Sequence, residues 1–105
     1  MARSSPLTAL SNLLLPLDLT PRFRKWVKSL PPADQRKVLD AVVAAQKAIG
    51  TPHAHKGSGI RKLRGSVMEC RAGLHLRMVF FCEPGKMMFV AGGNHDDVRR
   101  FLKTV

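Results

Sequence analysis

The sequence has 105 residues, 45% of them apolar, which predicts one domain with a single core. Eighteen Lys and Arg face seven Asp and Glu, giving a formal net charge of +11. A surface this basic repels itself, which favours a polyanionic partner over a merely soluble basic surface. No apolar run is long enough to span a bilayer, so the composition excludes a transmembrane helix.

Residues 1–12 contain an apolar stretch broken by polar residues, with no clear small-residue cleavage site after it. We predict a lead-in segment there, followed by one domain over residues 13–105. The run LLLPLDL at 13–19 predicts a strand. Pro16 cannot donate to a ladder, so this strand is expected at a sheet edge.

Two helices come next and form a predicted helical hairpin. Thr20 followed by Pro21 is typical of a helix start, and the Pro pair at 31–32 ends that helix. A second helix is predicted over about 33–49. The apolar stripes are Phe23, Trp26, Val27 and Leu30 on the first helix, and Val38, Leu39, Val42, Ala45 and Ile49 on the second.

A Gly-rich basic loop leads into a strand in GIRKLRG, and three apolar runs then predict a three-stranded antiparallel meander: SVMEC, LHLRMVFFCE and KMMFVAGG. EPGK at 83–86 predicts a two-residue turn that pairs Glu83 with Lys86. Counting back from that pair places Arg77 opposite Gly92 and His75 opposite Asn94.

Strand alternation favours a three-residue loop over 72–74 between the first two meander strands, since a two-residue loop mixes polar and apolar residues on one face. This register pairs Arg71 with His75 and Glu69 with Arg77. It leaves one face apolar and ready for the helical hairpin, with Met68, Cys70, Leu76, Met78, Phe80 and Cys82 on it. Cys70 and Cys82 have no metal-ligand spacing, so we expect buried, reduced thiols.

The last segment, NHDDVRRFLKTV, predicts a short helix. Asn94 is its expected cap, with Asp97 in the first turn near the positive end of the helix dipole. His95 then lies at the helix start. The apolar stripe is Val98, Phe101, Leu102 and Val105.

The second sheet face is predicted to carry a cluster of cations at one end. It comprises Arg71, His75, Arg77 and His95, with Lys62 and Arg64 from the adjoining strand and His53, His55, Lys56 and Arg61 from the loop before it. Glu69 is the one acid of this zone, and we expect Arg77 to engage it. Each cation alone fits an ordinary solvated residue, or a charge that keeps an edge strand from pairing with another chain. Their convergence on one end of the sheet favours a functional site.

The chemistry of this cluster suits phosphates. An arginine guanidinium can bind two phosphate oxygens at once, and the negative charge that develops on a phosphodiester during cleavage is stabilised by fixed cations. A histidine such as His95 can move a proton near neutral pH. A metal is not expected, because the cluster lacks ligands of opposite charge and His53-x-His55 has no third ligand at a supporting spacing.

GIRKLRG, followed by MECRAG, LRMVFF and VAGGNH, resembles the RelE/ParE superfamily of bacterial toxins, including HigB-like and phage-derived relatives, over about residues 13–103. The resemblance implies an α+β fold: an N-terminal strand, a helical hairpin, a three-stranded antiparallel meander and a short C-terminal helix. RelE-like members are metal-independent mRNA endonucleases of the ribosomal A site, in which the ribose 2′-hydroxyl attacks the neighbouring phosphate.

The resemblance also implies roles for residues. The expected catalytic set is Lys62 and Arg64 from the KLRG strand, Arg71 and Arg77 from the next two strands, and His95 after the last. The expected RNA-binding set is His53, His55, Lys56, Arg61 and His75. Relatives commonly carry a Tyr or another His near the terminal segment, but this chain has no Tyr and has Phe101 there, so His95 is our candidate for proton transfer.

The implied partners are a cognate antitoxin, mRNA and the ribosome, with operator DNA contacted only through the antitoxin complex. We expect a cytoplasmic protein with no cofactor and no membrane partner. Two alternatives stay open. One is a ParE-like inhibitor of DNA gyrase, in which the basic face is incidental. The other is a non-catalytic basic module that binds nucleic acid with a steep salt dependence.

Overall fold

A computed structural model describes residues 16–49 and 59–105. The elements in chain order are β1 (Leu17–Leu19), α1 (Pro21–Lys28), α2 (Pro32–Ala48), β2 (Arg61–Arg64), β3 (Val67–Ala72), β4 (Leu76–Glu83), β5 (Lys86–Gly93) and α3 (His95–Leu102). The strands form one five-stranded sheet in the order β1-β5-β4-β3-β2. The predicted α+β class and element order are therefore confirmed. The predicted lead-in over 1–12 lies outside the described residues, as do strand positions 13–15.

β1 lies at a sheet edge, as predicted from Pro16. It pairs in parallel with β5, with Leu17 opposite Met87 and Leu19 opposite Phe89. The carbonyl of Pro16 still accepts a hydrogen bond from the Met87 amide at 2.9 Å. Pro16 thus contributes an acceptor to the ladder at a position where it has no donor to offer.

α1 begins where its cap predicts. The Thr20 hydroxyl accepts from the Phe23 amide at 3.3 Å and donates to the Phe89 carbonyl at 3.0 Å. One side chain therefore caps α1 and ties its start to β5. None of the helices in the described ranges is both long and apolar enough to cross a membrane.

The main core lies between the helical hairpin and one face of the sheet. Its buried residues are Phe23, Val27, Val38, Val42, Ala45, Cys70, Ala72, Met78, Phe80, Met87 and Phe89. The rings of Phe80 and Phe89 stack with centroids 4.8 Å apart. The predicted α2 stripe is wrong at Leu39, which is 42% exposed. Ala48, one turn further along the helix than Ala45, is buried instead.

A second, smaller core lies on the opposite sheet face under α3. It is formed by Val67, Val79, Ala91 and Val98, with half-buried Leu63, Phe81, Val90, Phe101 and Leu102 around it. Val105, which we placed on the α3 stripe, is 50% exposed. α3 therefore covers the part of this face that carries the second core.

The register of β3 against β4 differs from the prediction. Arg71 lies opposite Arg77, and Glu69 lies opposite Val79. The turn comprises residues 73–75, because buried Ala72 continues the strand opposite Leu76 and Gly73 adopts a left-handed φ of 72°. The shift moves the pairing by two residues, so the predicted face of every side chain is kept.

The β4–β5 pairing begins as predicted, with Glu83 opposite Lys86, but a bulge then changes it. Phe80 lies opposite Phe89 and Val79 lies opposite Ala91, so Val90 is an extra residue on β5. Arg77 consequently lies opposite Gly93 rather than Gly92. The predicted pair of His75 with Asn94 does not form, because β4 begins at Leu76 and β5 ends at Gly93.

Candidate functional site

Three strands and the start of α3 enclose a polar cavity of about 340 Å³ on the face that carries the second core. We call it the cationic pocket. It is lined by Gly59, Ile60, Arg61, Glu69, Arg71, Arg77 and His95. Three of these are obligate cations and one is an imidazole, so the pocket concentrates positive charge around a single carboxylate.

Strand alternation brings the charged residues of the pocket together. Arg61 lies opposite Glu69 across β2 and β3, and Arg71 lies opposite Arg77 across β3 and β4. Residues directly opposite in an antiparallel pair project on the same face, as do residues two apart along one strand. The four side chains therefore share one face of three neighbouring strands.

Glu69 is the ionic centre of the pocket and is only 2% exposed. Its Oε1 accepts a hydrogen bond from Arg77 Nη1 at 3.0 Å and lies 3.6 Å from Arg61 Nη2. The predicted contact between Arg77 and Glu69 is thus confirmed, although the two residues are diagonal neighbours rather than an opposite pair. Arg77 is 17% exposed and Arg61 is 60% exposed, so Arg61 is freer to meet a ligand.

His95 reaches the pocket as the first residue of α3. The Asn94 side chain accepts from the Asp97 amide at 2.8 Å, and the Asp97 carboxylate accepts from the Asn94 amide at 2.9 Å. This reciprocal capping box fixes where the helix starts and hence where His95 stands. His95 also lines an adjoining cavity of about 260 Å³, together with His75 and Arg77.

Two predicted site residues on β2 lie elsewhere. Lys62 pairs with Met68, whose side chain packs against the main core, so Lys62 projects on the face opposite the pocket. Arg64 follows a register shift and donates to the carbonyls of Leu102 and Val105 at 3.3 and 3.5 Å. The expectation that both residues join the cationic cluster is therefore wrong for the pocket. The pleat of β2 turns Lys62 to the other face of the sheet. Arg64 binds backbone carbonyls at and after the end of α3, which have no partner within the helix.

Three predicted RNA-binding residues, His53, His55 and Lys56, lie outside the described residues. Arg61 lines the pocket, and His75 lies beside it in the adjoining cavity. No group of three or more His, Cys, Asp or Glu that could hold a metal ion occurs in the ranges 16–49 and 59–105. The donors of the pocket are guanidinium groups, which bind anions.

The sequence analysis missed the depth of Glu69 and the second core that surrounds it. The signal for both was present in VMECRA, where Val67 and Glu69 share one strand face. An acid that follows an apolar residue on the same face indicates a carboxylate at the boundary of a core.

A larger cavity of about 390 Å³ lies between α1 and α3. The guanidinium carbon of Arg22 lies there, 5.4 Å from the centre of the Phe101 ring.

No protein-family model matches the sequence, and no curated protein sequence matches it. Solved structures do match. The chain is similar to a chain of the YoeB–YefM complex from Staphylococcus aureus, with 18% identity and a TM-score of 0.56 over 77% of this chain and 97% of that one. It is also similar to a chain of the toxin–antitoxin complex RelBE2 from Mycobacterium tuberculosis, with 17% identity and a TM-score of 0.51 over 78% of this chain and 99% of that one. At such identities the likeness shows the fold, which is RelE-like.

Proposed function

We propose that the chain is the toxin of a type II toxin–antitoxin system and acts as a metal-independent, ribosome-dependent mRNA endonuclease. Two findings support this proposal. The fold is shared with chains of complexes described as YoeB–YefM and as the toxin–antitoxin complex RelBE2. The observation that carries the chemistry is the gathering of Arg61, Arg71, Arg77 and His95 around one pocket.

The proposed reaction uses the RNA's own hydroxyl as nucleophile. The ribose 2′-oxygen attacks the adjacent phosphorus, its proton leaves, and the bond to the 5′-oxygen breaks as that oxygen gains a proton. The products are a 2′,3′-cyclic phosphate and a 5′-hydroxyl. Arg71 and Arg77 hold the non-bridging oxygens, whose charge grows in the transition state, and His95 moves one of the two protons.

The proposed partners follow from the same function. A cognate antitoxin covers the toxin, the ribosome presents the mRNA, and operator DNA is contacted only through the antitoxin complex. With a net charge of +11, the chain is suited to a ribonucleoprotein surface, because neutralised phosphates release their counterions. We propose that it acts in the cytoplasm.

The test is controlled expression followed by mapping of mRNA ends. Wild type is expected to arrest growth and cut mRNA, whereas Arg71→Ala combined with Arg77→Ala does neither. The matched control is Arg36→Ala combined with Lys37→Ala, which removes the same charge from exposed positions of α2 on the other side of the sheet. This control is expected to behave as wild type.

Three results contradict the proposal, two of which require that DNA-damage signalling and nucleic-acid binding are measured beside growth and mRNA ends. Equal growth arrest by wild type and the pocket variant, with whole transcripts in both, shows that the pocket does not cut RNA. DNA-damage signals with intact mRNA favour the gyrase inhibitor. Binding to nucleic acid without cleavage or toxicity favours the non-catalytic module.

A further inference from the structure

We propose that Glu69 is a positioning residue of the cationic pocket. Its carboxylate holds the Arg77 guanidinium where a substrate phosphate needs it, and its charge weakens the attraction of the pocket for phosphate in general. The inference rests on the proposed function, because it assigns Glu69 a part in RNA cleavage. It adds a residue that the resemblance to RelE-like toxins did not supply.

The first argument is the like-charge pair across β3 and β4. Arg71 and Arg77 are directly opposite, and like charges at such positions repel each other. The two guanidinium groups have different surroundings: Arg71 is exposed, whereas Arg77 is 17% exposed and bonded to Glu69. Glu69 therefore determines the direction of the Arg77 side chain.

The second argument is the burial of Glu69. A carboxylate that is 2% exposed is unfavourable unless cations compensate its lost hydration. Arg77 and Arg61 both approach the same oxygen, Oε1. Oε2 is also buried and has no hydrogen-bond partner among the described residues. Replacing Oε2 by the amide NH₂ of glutamine therefore breaks no hydrogen bond of the described protein, which makes Glu69→Gln a suitable probe.

The two effects of Glu69 have opposite signs in binding and in cleavage. Its charge opposes a bound phosphate, and at an effective dielectric constant close to that of water this amounts to about threefold in affinity. Its hold on Arg77 supports the reaction, since misplacing a substrate-positioning group by about 1 Å costs roughly 10²-fold in rate. Glutamine keeps an oxygen for Arg77 but loses the negative charge that offsets the repulsion between Arg77 and Arg71. Glu69→Gln should therefore bind RNA about threefold more tightly and, with Arg77 less firmly held, cut it about 10²-fold more slowly. A residue that only supports the fold lowers both quantities together.

The experiment measures single-turnover cleavage of mRNA on programmed ribosomes. A second assay measures the affinity for an oligonucleotide with a 2′-deoxy sugar at the scissile position, which cannot be cut. Glu69→Asp keeps the charge but shortens the reach, so it should cut slowly and bind as wild type. Glu83→Gln makes the same chemical change at an exposed turn outside the pocket and should change neither. Thermal melting of each variant reports the folded fraction.

The results separate the two proposals. If wild type cuts mRNA and Glu69→Gln cuts at the same rate, the role of Glu69 is overturned and the proposed function stands. The same holds if binding and cleavage fall together in Glu69→Gln. If wild type leaves mRNA whole, both proposals are overturned. Tighter binding with slower cleavage in Glu69→Gln, while Glu83→Gln matches wild type, supports the inference.

Discussion

At the scale of single residues, His95 is the one imidazole among the described residues that lines the cationic pocket. Its backbone position is fixed by the Asn94–Asp97 capping box, while its side chain is exposed. A side chain with this setting is accessible both to solvent and to a ligand in the pocket. The absence of any Tyr in the chain makes His95 the candidate for the proton transfer in the proposed reaction.

We predict that His95→Ala lowers single-turnover cleavage by about 10²- to 10⁴-fold, which is the usual contribution of a general acid or base. The melting temperature should stay close to that of wild type, because the exposed ring makes no hydrogen bond that the capping box needs. Cleavage and melting are measured on the same preparations. Cleavage within about threefold of wild type would assign the proton to another group.

Cys70 gives a second prediction at this scale. Burial, with the nearby charge of Glu69 as the smaller cause, raises the pKa of the Cys70 thiol to about 12. The thiolate is the reactive form, so at pH 8 an alkylating reagent should label half-buried Cys82 and spare Cys70 until the protein unfolds. Mass spectrometry of the alkylated chain measures this. Equal labelling of both thiols in the folded protein would contradict the described burial.

The sign of the pH effect on stability follows from the same pKa. The folded state keeps the Cys70 proton up to about pH 12, whereas the unfolded state releases it at the ordinary thiol value of 9.0. The contribution of Cys70 to the free energy of unfolding is therefore fully present below pH 9.0 and is lost as the pH rises toward 12.

At the scale of elements, α1 and β5 approach closely through Trp26 and Gly92. A Cβ atom built on Gly92 would lie 2.2 Å from the Trp26 ring, which leaves no space for a side chain there. The ring also lies against Phe23, with centroids 5.7 Å apart. Glycine therefore fits on β5 at the place where an aromatic ring of α1 lies against the strand, and any side chain there requires the ring to move.

We predict that Gly92→Ala destabilises the protein by about 1–3 kcal/mol, because the ring must move. Trp26→Ala should cost about 3 kcal/mol, at the low end for a large aromatic since Trp26 is half-buried. In a Trp26→Ala background the Gly92→Ala change should cost almost nothing. Chemical denaturation of the four proteins measures this coupling. Strictly additive losses would show that the two residues do not meet.

The elements also show what the sequence could predict. Alternation assigned Cys70, Met78 and Phe80 to the core face correctly, because the side-chain period of a strand is two. It could not determine the register, since a shift of two residues keeps every face. The turn at Gly73 and the bulge at Val90 decided the pairing, and alternation of apolar and polar residues predicts neither feature.

The limits of strand alternation also explain why only some of the predicted cations lie together. Arg71, Arg77 and His95 were predicted to converge, and they line one pocket together with Arg61. Lys62 and Arg64 follow closely after Arg61 in the motif, but the pleat turns Lys62 to the other face, and Arg64 donates to carbonyls at the end of the chain after α3. Linear proximity in a strand therefore overestimates how many cations share a site.

At the scale of the whole molecule, the chain combines a net charge of +11 with one carboxylate buried inside its cationic pocket. Two other acids pair within their own helices, Asp40 with Arg36 at 3.3 Å on α2 and Asp97 with Arg100 on α3. Such exposed pairs contribute little to stability. The placement of Glu69 thus matters for the geometry of the pocket, while the excess of cations is available to bind phosphates.

The most direct test of this account is the chemistry of the cut RNA ends. Purified wild-type protein is given ribosomes programmed with mRNA, and the 5′ ends of the fragments are tested for ligation with and without prior phosphorylation. Attack by the 2′-hydroxyl predicts 5′-hydroxyl ends and 2′,3′-cyclic phosphates, which are absent when Arg71 and Arg77 are both alanine. Fragments with 5′-phosphate ends, or mRNA that stays whole, would contradict it.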